Sequence, residues 1–172
     1  MNSEKIKIIE KYKGFSGVEY QFEYEDLDSF DNLDYSLCKQ VYGVCFCDNK
    51  IVIGYGGHKK TWGLIGGTIE KGETFEETFK REIIEESNME IVSWKPIGVQ
   101  KVIDTRDGSH IFQLRAVAIV KPLGPFVSDP ANVINGITEI KHVDPSEYKN
   151  YFDWGQIGDR IISRALELRE GL

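Results

Sequence analysis

The chain has 172 residues, 41% of them hydrophobic and 28% charged, the balance of one globular domain with a real core. A formal net charge of -7 argues against a broad basic face for non-specific nucleic-acid binding, and no apolar run approaches the ~20 residues that cross a bilayer. The start of the chain shows no basic region followed by an apolar stretch, and Cys38, Cys45 and Cys47 are odd in number without C-x-x-C spacing. The expected setting is a reducing cytoplasm.

In chain order, Lys5 to Lys13 reads as a short β-rich segment with charged flanks. Val18, Tyr20, Phe22 and Tyr24 then alternate with polar residues, as a half-buried strand does. Glu25 to Asp34 carries many acids and no Lys or Arg, which predicts a solvated connection. Residues 1–37 are therefore read as a β-rich N-terminal extension of a single domain spanning 1–172. Gln40 to Phe46, turning at Asp48-Asn49-Lys50 into Ile51 to Tyr55, predicts a β-hairpin. Within it, Cys45 and Cys47 point to one face as small apolar groups. Strands follow at Glu90 to Val99 and Ile111 to Lys121, with a turn around Asp104 to Ser109. A long Pro/Gly-punctuated loop runs from Pro122 to Gly136, of the length that is usually functional or mobile. Ile137 to Val143 reads as one more strand. It leads to a helix from about Trp154 to Leu168 with Ile157, Ile161, Ala165 and Leu168 on one stripe.

The chemistry concentrates between Gly72 and Asn88, where the pattern turns helical. Thr74 and Glu77 have the spacing of a capping box, and Phe75, Phe79 and Ile83 recur every four residues on a core-facing stripe. At ~100° per residue, Glu82 and Glu86 fall within roughly 20° of Phe75, with Glu85 beside them. A solvated acidic face would lie opposite the phenylalanines; this one overlaps their stripe. Carboxylates crowded near a core repel one another and lose hydration, and a hard divalent cation with oxygen ligands compensates both costs. The plainer alternative is that Glu85 and Glu86 are surface residues on a good helix former.

Gly67, then Glu73 after an intervening five residues, then Arg81-Glu82-Ile83-Ile84-Glu85-Glu86 after seven more, resembles the signature of the Nudix hydrolases, G-x5-E-x7-R-E-U-x-E-E-x-G-U with U aliphatic. The signature's last Gly is Asn88 here, followed by Met89. Asn tolerates the left-handed conformation that such a Gly would adopt, so the loop shape is expected to persist. Ile65 stands where a Pro commonly precedes the paired glycines. Trp62-Gly63-Leu64 resembles the family's approach strand, and Glu139 its late acidic residue.

The resemblance implies an α/β fold, an α/β/α sandwich with a mixed sheet. It also implies that Glu82, Glu85, Glu86 and the Gly66 carbonyl hold Mg²⁺ or Mn²⁺, and that Glu73 and Arg81 form a structural ion pair. Glu139 is a candidate general base or extra metal ligand, or an exposed strand-edge glutamate. Lys59, Lys60, Arg106 and His110 are the basic residues nearest the expected cleft in the chain. Of these, Lys60 and Arg106 are the substrate-binding candidates, with solvated loop charge as the alternative. Trp62 joins them as a base-stacking candidate, with Phe112 and Trp154 behind it and core packing as the alternative for each. The acidic, aromatic segment Glu19 to Tyr35 is compatible with a cover over the site, a homodimer contact or a solvated hairpin. The implied activity is metal-dependent hydrolysis of a phosphoanhydride in a nucleoside diphosphate linked to another group. A nucleoside triphosphate or small nucleotide derivative is the expected substrate, with neither a membrane nor a nucleic acid as partner. The competing readings are an inactive nucleotide-sensing module, which would be expected to lose box glutamates, and an RNA 5′-end pyrophosphohydrolase, which should show a basic groove. Isomerisation of an isoprenoid diphosphate also occurs on this fold and would need an active-site cysteine.

Overall fold

The computed structural model describes residues 5–14, 16–128, 131 and 134–172. Among the described residues, nine strands and two longer helices follow one another: β1 (Lys7–Lys13), β2 (Glu19–Asp26), β3 (Cys38–Cys47), β4 (Lys50–Gly56), β5 (Thr61–Gly63), β6 (Ile65–Thr68), α1 (Phe75–Ser87), β7 (Met89–Asp104), β8 (His110–Pro122), β9 (Ile137–Val143) and α2 (Gly155–Arg169). The strands form one mixed sheet in the order β1-β2-β7-β8-β3-β4-β5, with β6 paired to β3 and β9 to β4. β3 and β8 run parallel, and the other pairs among the described strands are antiparallel. No helix among the described residues is long and apolar enough to cross a membrane.

Alternation along β3 divides the core in two. Val41, Cys45 and Cys47 point to the α1 side, where Phe79 and Ile83 pack, while Val44 and Phe46 point to the α2 side, under Ile157, Ile161 and Ala165. Cys45 and Cys47 are free and buried on one face, as their spacing requires, and free Cys38 joins that cluster past the irregularity between Cys38 and Gln40. Gly43 lets α1 come close: a Cβ there would stand 2.2 Å from the Phe79 ring. α2 starts at the residue its periodicity indicates, but its cap comes from far away in sequence. Glu10 of β1 accepts from the Gln156 and Ile157 amides at 2.9 and 3.4 Å.

Two expectations are corrected. Glu25 to Asp34 is not simply solvated: Phe30 is buried, and the Asp26 carboxylate is buried against Arg160 (2.5 Å). β7 is longer than its predicted segment and runs unbroken to Asp104, because bulges between Ile91 and Ser93 and between Pro96 and Gly98 absorb the residues that read as a strand end. The N-terminal hairpin belongs to the main sheet. β2 pairs with β7 from Tyr20↔Asp104 to Asp26↔Gly98, and Tyr24 is completely buried. Although β1 and the 57–60 turn belong to opposite ends of the strand order, Lys59 Nζ stands 5.6 Å from the Tyr12 ring centroid. The sheet therefore curls around its α2 face.

Candidate active site

α1 is set at both ends by local chemistry. Thr74 Oγ1 accepts from the Glu77 amide at 3.2 Å, and Glu77 Oε2 accepts from the Thr74 amide at 2.7 Å, which completes the capping box. At the other end Asn88 adopts φ 52°, ψ 43°, the left-handed conformation its position in the signature predicts. Its Nδ2 donates to the Pro125 carbonyl at 2.9 Å.

The helix presents its glutamates to β6. Gly66 has φ 154°, and a Cβ there would lie 2.1 Å from the Val41 carbonyl oxygen, so only glycine fits. Its amide donates to Glu86 Oε2 at 3.0 Å. At Gly67 a Cβ would meet Glu82 Oε1 at 2.3 Å, so the missing side chain is the space in which the Glu82 carboxylate lies. The paired glycines let two carboxylates approach the backbone of a strand.

Arg81 ties this arrangement to the preceding loop. Its Nε and Nη2 clasp Glu73 at 2.6 and 3.0 Å, and Nη2 also donates to the Thr68 carbonyl at 3.0 Å. Nη1 spans Glu82 Oε1 (2.9 Å) and Glu85 Oε2 (3.2 Å). The guanidinium and the Thr78 hydroxyl hold the Glu73 carboxyl down to about 2. The carboxylates at the glycines behave oppositely. Burial, opposed by the Gly66 amide and reinforced by Glu82 and Glu85, pushes Glu86 up to about 8, and burial also raises Glu82.

Among the described residues, no three acidic, imidazole or thiol groups are drawn into a ready cation shell, and Arg81 stands between Glu82 and Glu85. The donor set nevertheless fits a hard divalent cation. It is all oxygen, and its buried like charges lack a full complement of countercharge. The Glu85 side chain, about half exposed, can turn toward the other two.

The remaining predicted residues are spread out. Glu139 is exposed on β9, opposite Tyr55 of β4; its neighbour Ile140 packs on the α1 side, so Glu139 faces the other. Lys60 has φ 52° and donates from Nζ to the Ile134 carbonyl at 2.6 Å. Trp62 packs against Tyr55 and Tyr151 (ring centroids 5.4 and 5.6 Å), with Lys141 Nζ 5.2 Å above it. Arg106 is held by Asp104 at 2.6 Å in the β7–β8 turn, where Thr105 donates to the Glu19 carbonyl; its contacts are there and not at the carboxylates. His110 and Phe112 pack edge to face, and the Trp154 ring meets Phe152 and the Gly63 backbone. Sequence reasoning missed Tyr42, which pairs with Gly66 and feels the charge of Glu86, and Arg115, which pairs with Tyr42. The available signal was an arginine inside the otherwise apolar run Leu114-Arg115-Ala116-Val117.

Comparison with known proteins agrees with this geometry. A family model for the NUDIX domain matches residues 40–162. A Nudix hydrolase of Deinococcus radiodurans is 40% identical over 58 residues, 31% of this chain and 34% of that protein. The match thus spans about a third of that relative's length. The fold is similar to that of the Bacillus subtilis pyrophosphohydrolase BsRppH, with a TM-score of 0.65 at 17% identity over 92% of this chain and 96% of that one. It is also similar to a NUDIX hydrolase from Nitrosomonas europaea, with a TM-score of 0.56 at 16% identity over 76% and 89%.

Proposed function

The chain belongs to the NUDIX domain family, and from that premise we propose that it hydrolyses a phosphoanhydride bond in a nucleoside diphosphate linked to another group. A nucleoside triphosphate or small nucleotide derivative is the substrate, and Mg²⁺ or Mn²⁺ the cofactor. The observation that carries this reading is the pair of carboxylates, buried Glu82 and half-buried Glu86, laid against the Gly66-Gly67 backbone. Acids are not placed there for stability, because burial raises both. Such a break in local consistency is the mark of a functional site.

Glu82, Glu85, Glu86 and the Gly66 carbonyl would hold the cation. When bound, it supplies positive charge to the diphosphate and polarises a water for attack. Arg81 and Glu73 are positioning residues: their paired hydrogen bonds fix the 68–73 loop to α1 and so keep the glycines beneath the glutamates. Glu139, exposed on the α2 side of β9, is the candidate proton acceptor or added ligand in this reading. Lys60 and Trp62, in the 57–63 segment, are the side chains this reading assigns to the nucleotide, Lys60 after release of its bond to the Ile134 carbonyl.

The test is a hydrolysis screen in Mg²⁺ over nucleoside triphosphates, nucleotide sugars, dinucleotides and 5′-triphosphorylated RNA, with product identification in ¹⁸O-labelled water. One labelled oxygen is expected in one of the two phosphate products. Glu82→Gln should lose about 100-fold or more in kcat while remaining folded. Tight binding of several nucleotides with no cleavage of any would replace this reading with a sensing module. Cleavage of RNA ends alone would replace the small-molecule substrate.

A further inference from the structure

On the α2 face, β3 and β8 each change from polar to apolar along their length. Gln40, Gln113 and Gln100 are neighbours across β3, β8 and β7, and Tyr42 and Arg115 form the next pair. Further along, Val44, Phe46 and Val117 lie completely buried in the cluster that α2 covers, whereas Gln40, Tyr42 and Gln113 are only half-buried. The polar end is also the end at which Tyr42 pairs with Gly66, the residue whose amide holds Glu86.

Arg115 is 4% exposed and has no carboxylate partner among the described residues. Nη1 donates to the Leu114 carbonyl at 3.2 Å; Nη2 donates to Gln113 Oε1 at 3.0 Å and Gln100 Oε1 at 3.4 Å. The guanidinium carbon stands 5.5 Å from the Tyr42 ring centroid, and Nε finds no partner among the described residues. Arg81 and Arg160, by contrast, each hold a carboxylate. The glutamines do not make up the difference. Gln100 Nε2 donates to Gln113 Oε1 at 3.3 Å and Gln113 Nε2 to Gln40 Oε1 at 2.8 Å, so all three amide oxygens already accept. Gln40 and Gln100 keep one lone pair each, but among the described residues the unused N–H groups on Arg115, Gln40, Gln100 and Gln113 outnumber them. A surplus of donors around a buried positive charge calls for an anion.

We propose that Arg115 and the Gln40–Gln113–Gln100 ladder form a second anion subsite, which binds a phosphate of the substrate beyond the diphosphate held at the glutamates. This rests on the hydrolase reading above and narrows its substrate to one with a chain of three phosphates. Gly66 and Arg115 lie two strands apart, about 10 Å between Cα atoms. The Arg115 side chain leans back over Tyr42, on the strand between them, and shortens that gap. A third phosphate extends the chain into the reach of Arg115; a diphosphate engaged at the glutamates ends short of it.

Calorimetry of the full chain with inorganic tripolyphosphate and with pyrophosphate, in Mg²⁺ and again in EDTA, tests this. The wild type should bind tripolyphosphate tighter by about tenfold or more, and Arg115→Gln should reduce that preference to about twofold or less, with Arg115→Lys between them. Glu82→Gln should weaken both ligands in Mg²⁺ and leave the preference intact, which separates failure of the cation site from failure of the subsite. A wild type without the preference, or a folded Arg115→Gln that keeps it, overturns the proposal. Should Arg115→Gln not fold, Gln40→Leu decides: a preference reduced about threefold supports the subsite, and an unchanged one overturns it.

Discussion

Glu86 carries its charge where burial and two neighbouring glutamates oppose it, so its carboxyl is pushed up to about 8, against ~4.3 in an unfolded chain. A carboxyl raised on folding keeps its proton in the native state. The cation-free protein should therefore be most stable below ~4.3 on account of this group, and lose on the order of 2–5 kcal/mol as pH rises from there through about 8. Glu73 has the opposite sign. Arg81 and Thr78 hold it down to about 2, so its contribution is complete above ~4.3 and is lost as pH falls toward 2. The windows are separate, and urea melts in EDTA between about pH 5.5 and 8.5 read Glu86 without Glu73. Stability should fall across that series, and Glu86→Gln should flatten the profile and raise the midpoint at its alkaline end. A wild-type midpoint that climbs with pH would contradict the burial of a charge at this position. Added Mg²⁺ acts on the ionised form, so it should raise the wild-type Tm most at alkaline pH and leave Glu86→Gln nearly unmoved.

α1 shows how much a local pattern can disclose. Thr74, Glu77, Phe79, Ile83 and Asn88 each do in the structure what spacing and residue type predict, because a capping box, a core stripe and a left-handed cap involve residues within a few turns of one another. The cap gives a sharp expectation. Asn88→Gly loses the hydrogen bond to the Pro125 carbonyl and gains conformational freedom at positive φ, so its stability should match wild type within about 0.5 kcal/mol. Asn88→Val places a β-branched side chain at the same φ and should cost about 1–2 kcal/mol in a denaturant melt. Equal stability of the two variants would mean that the helix does not end in that conformation. β7 shows where local reading stops. Pro96 and Gly98 are residues that end strands, and in Met89–Asp104 they sit at a bulge that lets the strand continue. The pairing partner, β8, decides which outcome holds, and it lies beyond a turn that single-strand periodicity does not cross.

At the scale of the whole molecule, what could not be read from the sequence is what depends on distant register. That Arg115 lies beside Tyr42 requires the parallel pairing of β3 with β8, which brings together residues 73 positions apart (115 − 42). That the N-terminal hairpin belongs to the sheet requires β2 to find β7, after which Tyr24 fills the space over Gly98 and Asp26 meets Arg160 of α2. The family model begins at residue 40, yet the curl that brings Tyr12 to Lys59, and the cap that Glu10 gives α2, both come from the hairpin. The Asp26–Arg160 pair measures how far the fold relies on it. Arg160 Nη2 donates to Asp26 at 2.5 Å with both side chains largely buried, and Nη1 keeps Glu167 at 2.8 Å. Asp26→Asn leaves the guanidinium only its exposed partner, so it should cost about 2–3 kcal/mol, less than the full loss of a buried pair because Glu167 remains. In thermal melts that is a fall of roughly 5–10 °C for a domain of this size. Adding Arg160→Met removes the uncompensated charge and should recover part of the loss, giving a coupling energy of about 1 kcal/mol or more in the double-mutant cycle. Deleting residues 1–37 removes Asp26 together with Tyr24, Phe30 and the Glu10 cap, and should abolish the cooperative transition altogether. If the shortened chain melts cooperatively at the wild-type temperature, the hairpin is an appendage, and the sheet is complete without the strands that now close its α2 face.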